Sequence, residues 1–294
     1  MSPSDAQETA MTAPAAPPAS PQQSRLRQAL AVFRFELGRI LWGPGVLALL
    51  LLAALPAFPF AIVYLVHLAV EQPPGLSEAT TSYAWAFQVF ILPMVTFFGC
   101  VLIFTGLVRR EVRERTLHHL FLCPVPRRVV MAGKFGAGVL SASLIFGFSA
   151  LVTFVLAYLP QFHRHGHAAR EFFLAGPGFS HLFQYLLVVV LAAIGYGAVF
   201  LCFALFVRNP IIPVFLVLGW ESINAFLPPL LKKLSVFHYL HALCPVPLVN
   251  LPFALLAEAP SAWVAIPGLL LLAFGLLMLS GWRFQHLEID YGGE

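Results

Sequence analysis

The chain has 294 residues, 60% of them hydrophobic and only 10% charged, with a formal net charge of +4. A soluble domain carries about a quarter charged residues, so this composition excludes a soluble globular protein and describes one that crosses a membrane several times. The basic residues flank apolar runs and do not form a separable soluble domain, which argues against nucleic acid as a partner.

Residues 1–23 are rich in Ala, Pro, Ser and Gln, contain no Lys or Arg, and read as a disordered tail without the basic start and apolar core of a signal peptide. From 24 to 42, Leu26, Ala29, Leu30, Phe33, Leu37 and Ile40 recur at helical spacing. Arg25, Arg27, Arg34, Glu36 and Arg39 fall mainly elsewhere on the wheel. This predicts an amphipathic helix in the membrane interface, with a simple extension of the first span as the other reading. The first span is expected at about 44–68, bent at Pro56 and Pro59. The acidic loop that follows belongs outside, and a second span at about 85–108 returns to the inside.

Residues 109–134 lie between two charge-free runs and hold seven of the seventeen Lys and Arg residues, a cytoplasmic marker. Leu117, Leu120 and Phe121 recur at helical spacing, so a short amphipathic helix is expected, stopped by Pro124-Val125-Pro126. A third span, about 135–159, opens with Gly136, Ala137, Gly138, Ser141, Ala142 and Ser143, small residues that permit close helix packing.

The loop 160–180 carries His163, His165 and His167, which alternate and would share a face in an extended segment. No Cys lies near them, and the loop reads as solvated, so no metal site is assigned. A fourth span is expected at about 181–206, with Gly195-Tyr196-Gly197 inside it. The fifth, at about 210–230, contains Glu221 and Asn224, candidates for a translocation path because a carboxylate inside a span tends to face a cavity or a partner. The alternative is that this helix ends early and leaves Glu221 near the outer interface.

Residues 231–260 are apolar but carry His238, His241, Pro245, Pro247, Asn250 and Pro252 in their middle, which suits short helices re-entering the outer leaflet. A sixth span, about 262–282, leads to a short tail over 284–294. With six spans and both termini in the cytoplasm, thirteen basic residues lie inside and four outside. Were 234–257 a true span, the tail would lie outside.

The order Glu114, Thr116-Leu117, Leu120, Pro124-Val125, Arg127, Gly133-Lys134 resembles the cytoplasmic loop after the second span in type 2 ATP-binding-cassette (ABC-2) exporter permeases. Arg115 stands where that family usually has Gly. The resemblance implies an all-α, six-span membrane domain over 43–283, placed in the inner (plasma) membrane. It also implies a separate ABC ATPase, two copies per transporter, that grips a coupling helix through Glu111, Glu114, Thr116, Leu117, Leu120, Phe121, Pro124 and Arg127. Such permeases work in pairs, as a homodimer or with a second permease chain, and are surrounded by membrane lipids.

No phosphate-cradling loop is present, since Gly133-Lys134 is followed by Phe135, so the chain is not expected to be an enzyme and no cofactor is assigned. The four cysteines show no metal spacing and no expected pairing. The rival from another class is a carrier acting alone, such as a His-dependent metal transporter, or a membrane assembly scaffold.

Overall fold

In hydrocarbon a backbone must satisfy its own N–H and C=O groups, and the apolar runs do so as helices. The computed structural model describes residues 21–69, 75–113, 126–164, 166–207, 209, 211–223, 228–246 and 260–285. Every regular element among them is helical. In chain order these are α1 (Pro21–Leu41), α2 (Val46–Ala54), α3 (Ala57–Ala69), α4 (Leu76–Ala86), a π-helical stretch (Phe87–Thr96), α5 (Phe97–Arg113), α6 (Arg127–Arg164), α7 (Gly166–Leu174), α8 (Gly178–Phe206), α9 (Ile211–Ile223), α10 (Pro229–Lys232), α11 (Val236–Ala242) and α12 (Ala262–Gln285).

Four stretches are long and apolar enough to cross a membrane: Leu76–Arg110, Arg127–Phe162, Gly178–Phe206 and Ala262–Phe284. Helices α1 and α2 meet at a bend of 65° and together meet the same criterion. The expected first span is therefore divided, with the chain turning at Leu55-Pro56 between α2 and α3. Within the expected fifth span the described helix covers Ile211–Ile223. Helix α1 begins at Pro21, slightly inside the stretch expected as a tail.

Long helix α6 is the spine, with α1, α3, α4 and α8 packed along it. Its small residues explain the close approach. A Cβ on Gly133 would stand 3.0 Å from the Ala29 carbonyl oxygen of α1, and one on Gly136 would stand 3.4 Å from the Phe33 ring. Phe104 of α5 lies between two helices that both present glycine to it. A Cβ on Gly138 would come within 2.6 Å of its ring, and one on Gly197 within 2.4 Å. Phe104 itself is fully buried.

The second span is one continuous rod whose middle, Phe87–Thr96, winds with wider π turns around Pro93. Proline lacks the N–H that an α-helix would use there, and wide turns of this kind commonly accommodate such a break. The remaining short helices, α10 and α11, occupy the described part of the region expected to hold re-entrant helices. Helix α11 buries Val236, Tyr239 and Leu240 against α8 and α12.

Candidate coupling end and polar contacts of the bundle

The ends of α5, α6, α8 and α12 meet at one end of the bundle, held by basic side chains. Arg109, at the end of α5, donates to the Val207 carbonyl oxygen after α8 at 2.6 Å. Arg127, the first residue of α6, donates to the Phe284 carbonyl oxygen of α12 at 3.4 Å. Arg110 lies against the bend between α1 and α2, where a Cβ on Gly45 would stand 2.8 Å from its guanidinium.

Deeper in the same end sits an ion pair removed from solvent. Lys134 of α6 is 1% exposed and donates from Nζ to Glu36 Oε1 of α1 at 2.6 Å. It also donates to the Leu107 carbonyl oxygen of α5 at 3.3 Å. Glu36 is 2% exposed and forms a second ion pair with Arg39 at 2.8 Å, one turn along α1. Charges buried this way persist only when paired and hydrogen-bonded; Lys134 meets both conditions, and the second Glu36 oxygen is held by the Arg39 ion pair. Three helices are thereby joined at one ammonium group. Leu107 precedes the basic stretch and Lys134 is its last residue, so the base of that stretch is held from both sides.

The opposite end has different chemistry. Tyr83 donates to the Ala150 carbonyl oxygen at 3.1 Å, Tyr158 to Thr80 Oγ1 at 3.0 Å, and Gln88 Nε2 to the Val246 carbonyl oxygen at 2.7 Å. Ser149 donates to the Ala53 carbonyl oxygen and fixes α2 to α6. Around these bonds the rings of Tyr83, Phe154 and Tyr185 meet edge to face, with centroids 4.9 Å apart in the Tyr83 pairs.

Glu221 lies in the last turn of α9 and is turned toward the start of α11. It accepts from Ser235 Oγ and from the backbone N–H groups of Val236 at 3.1 Å and Phe237 at 3.4 Å. Ser235 Oγ in turn accepts from His238 N. The carboxylate thus satisfies the free N–H groups that open any helix. Burial holds His238 and His241 of α11 below the ordinary imidazole value, with Lys232 adding to the effect on His238 and His238 adding to that on His241.

The expected coupling residues divide sharply. Glu114, Thr116, Leu117, Leu120, Phe121 and Pro124 lie outside the described residues, as does Asn224. Glu111 is placed by its backbone in α5, and Arg127 opens α6. Of the three alternating histidines, His167 is exposed on α7, His165 lies outside the described residues, and His163 falls in the last turn of α6. Among the described residues no group of three His, Cys, Asp or Glu side chains is arranged to hold a metal ion.

A family model described as ABC-2 family transporter protein matches residues 45–219, which encloses the whole basic stretch and the helices on either side of it. The chain belongs to the ABC-2 transporter family. No curated protein matches it. This ABC-2 permease is a multi-pass membrane protein, and its matched region takes in α5, α6 and α8, which the basic end ties together.

One buried contact of this ABC-2 permease escaped the sequence reading. The helical wheel places Glu36 with the arginines off the apolar face of its helix, yet it is among the most buried residues of α1, because α6 covers it and supplies Lys134. Lys134 was grouped with the basic stretch, although its ammonium points into the bundle. The one available signal was a lone acid among arginines in residues 25–39, which asks for a basic partner elsewhere.

Proposed function

We propose that the chain is the membrane-spanning subunit of an ABC-2 exporter, working as a pair of permease chains with two copies of a separate ATPase docked on residues 111–127. The observation that carries this reading is the family match across the basic stretch, together with the polar contacts that hold both flanks of that stretch at one end. A push on the segment between α5 and α6 would then bear on α1, α8 and α12 together, and the path would alternate between inward- and outward-facing states.

A six-pass course with both termini in the cytoplasm accords with the bonds at each end. Contacts alternate from the basic end at Lys134, to the far end at Tyr158, back at Val207, out at Glu221 and back at Phe284. In this reading α2 with α3 makes the first pass and α9 the fifth, and Glu221 secures α11 on the outer side instead of lining the path.

The test is co-purification of the cognate ATPase with variants of the permease. Leu120→Asp combined with Phe121→Asp would remove apolar anchors worth roughly 1.5–3 kcal/mol each and add unpaired charge at the contact. The ATPase should dissociate while the permease keeps its thermal unfolding temperature. Undiminished recovery of the ATPase with the double variant would refute the docking assignment.

A further inference from the structure

The lipid-facing side of every span is apolar, so exposure of hydrophobic residues alone indicates nothing. One surface differs in being concave. Between the end of α6, the short helix α7 and the start of α8 lies a groove of about 580 Å³, within the roughly 300–1,000 Å³ of small-ligand sites. Its walls are chiefly Phe154, Tyr158, Phe162, Phe173, Phe179 and Leu182. The rings brace one another: Phe162 stacks on Phe173 at 5.3 Å, and Phe173 meets Tyr158 edge to face at 5.4 Å and Phe179 at 5.7 Å. The groove therefore has walls set by ring-to-ring packing, not by side chains free to collapse into it.

Arg170 of α7 is the single charged residue in the lining. Its side chain is exposed, and no ion pair joins it to a carboxylate among the described residues. Helix α7 follows the last turn of one span and precedes the first turn of the next, which sets it at headgroup depth, with acyl chains beside the groove below it. Arg170 is also one of only four basic residues assigned to this side of the membrane, against thirteen on the other. An apolar groove with a single cation at headgroup level matches a ligand with a hydrocarbon chain and an anionic head.

We propose that this groove is a binding site for an anionic phospholipid, with one acyl chain between the aromatic walls and the phosphate on the Arg170 guanidinium. The site lies at the far end from the basic stretch and stands independently of how the ATPase docks.

The test uses the full chain reconstituted in phosphatidylcholine vesicles that contain a small fraction of phosphatidylglycerol with a photoactivatable acyl chain in both leaflets. Labelled peptides are then mapped by mass spectrometry. Label should concentrate on Phe162, Phe173 and Leu182 above that given by the equivalent phosphatidylcholine probe. Leu271, an exposed residue of α12, should be labelled equally by both probes and serves as the internal control. Arg170→Gln should lower the phosphatidylglycerol label in the groove about fivefold, the effect of roughly one basic residue near an anionic lipid surface, without changing the label at Leu271. Leu182→Trp, which fills the groove, should remove label from both probes there. Equal labelling by the two lipids, unchanged by Arg170→Gln, would overturn the proposal. So would effective competition by soluble glycerol phosphate, or protection of the groove by a second copy of the chain detected as a crosslink between copies.

Discussion

The two ends of this bundle are held together by different means. At the basic end, a few charged side chains reach across helices to a carboxylate or to carbonyl oxygens, and one ammonium serves α1, α5 and α6 at once. At the far end, many aromatic rings share the contact, and apart from the Glu221 carboxylate the hydrogen bonds described are made by phenols, a hydroxyl and an amide. The first arrangement concentrates the cost of disruption in single residues; the second spreads it. A junction that must pass a displacement between helices gains from a few stiff directional contacts, whereas a wall in hydrocarbon gains from redundancy.

The sharpest way to break this comparison is Lys134→Met. It removes the buried one of the two cations paired with Glu36 and leaves the carboxylate with Arg39 alone in a site with almost no solvent contact, at a cost of about 3 kcal/mol. Thermal unfolding of the detergent-solubilised permease should report a large drop, and adding Glu36→Leu should recover most of it because both charges are then gone. A Lys134→Met variant as stable as the parent would show that the basic end is not organised as described. Next in size is Glu221→Ala, which removes the acceptor for two backbone N–H groups and the Ser235 hydroxyl, a loss of about 1–3 kcal/mol. Its signature is local: amide hydrogens of α11 should exchange faster while those of α6 keep their protection. Glu221→Gln keeps an acceptor oxygen, so its effect should be smaller. The mildest change is Tyr83→Phe, which keeps the ring contacts and loses one hydrogen bond, about 1 kcal/mol. Should Tyr83→Phe prove as damaging as Lys134→Met, the far end would not be redundant.

Hydropathy and proline position made much of the helical layout legible. The apolar runs at 85–108, 135–159, 181–206 and 262–282 all fall inside helices, and Pro56 marks the division between α2 and α3. Small residues at the start of α6 announced close packing, and the glycines meet Phe33 and Phe104 as that argument requires. Glu36 with Lys134 lay further out of reach. The two residues are 98 positions apart, and a wheel drawn for α1 alone assigns any carboxylate to its polar face without knowing that another helix covers it. The resemblance read from the motif at 114–134 and the family match over residues 45–219 point to the same family.

The wide turns around Pro93 carry a consequence for anything that reads this span as a repeating pattern. An α-helix advances about 3.6 residues per turn, while a π stretch takes more. Residues on either side of Phe87–Thr96 are consequently out of phase: spacing that places Tyr83 and Phe87 toward the aromatic end does not carry through to Phe97 and Phe104, which face Tyr196, Phe200 and the glycines of α6 and α8. The stretch acts as a rotary offset built into a single rod, letting one continuous helix address two different sets of neighbours without a break in the chain.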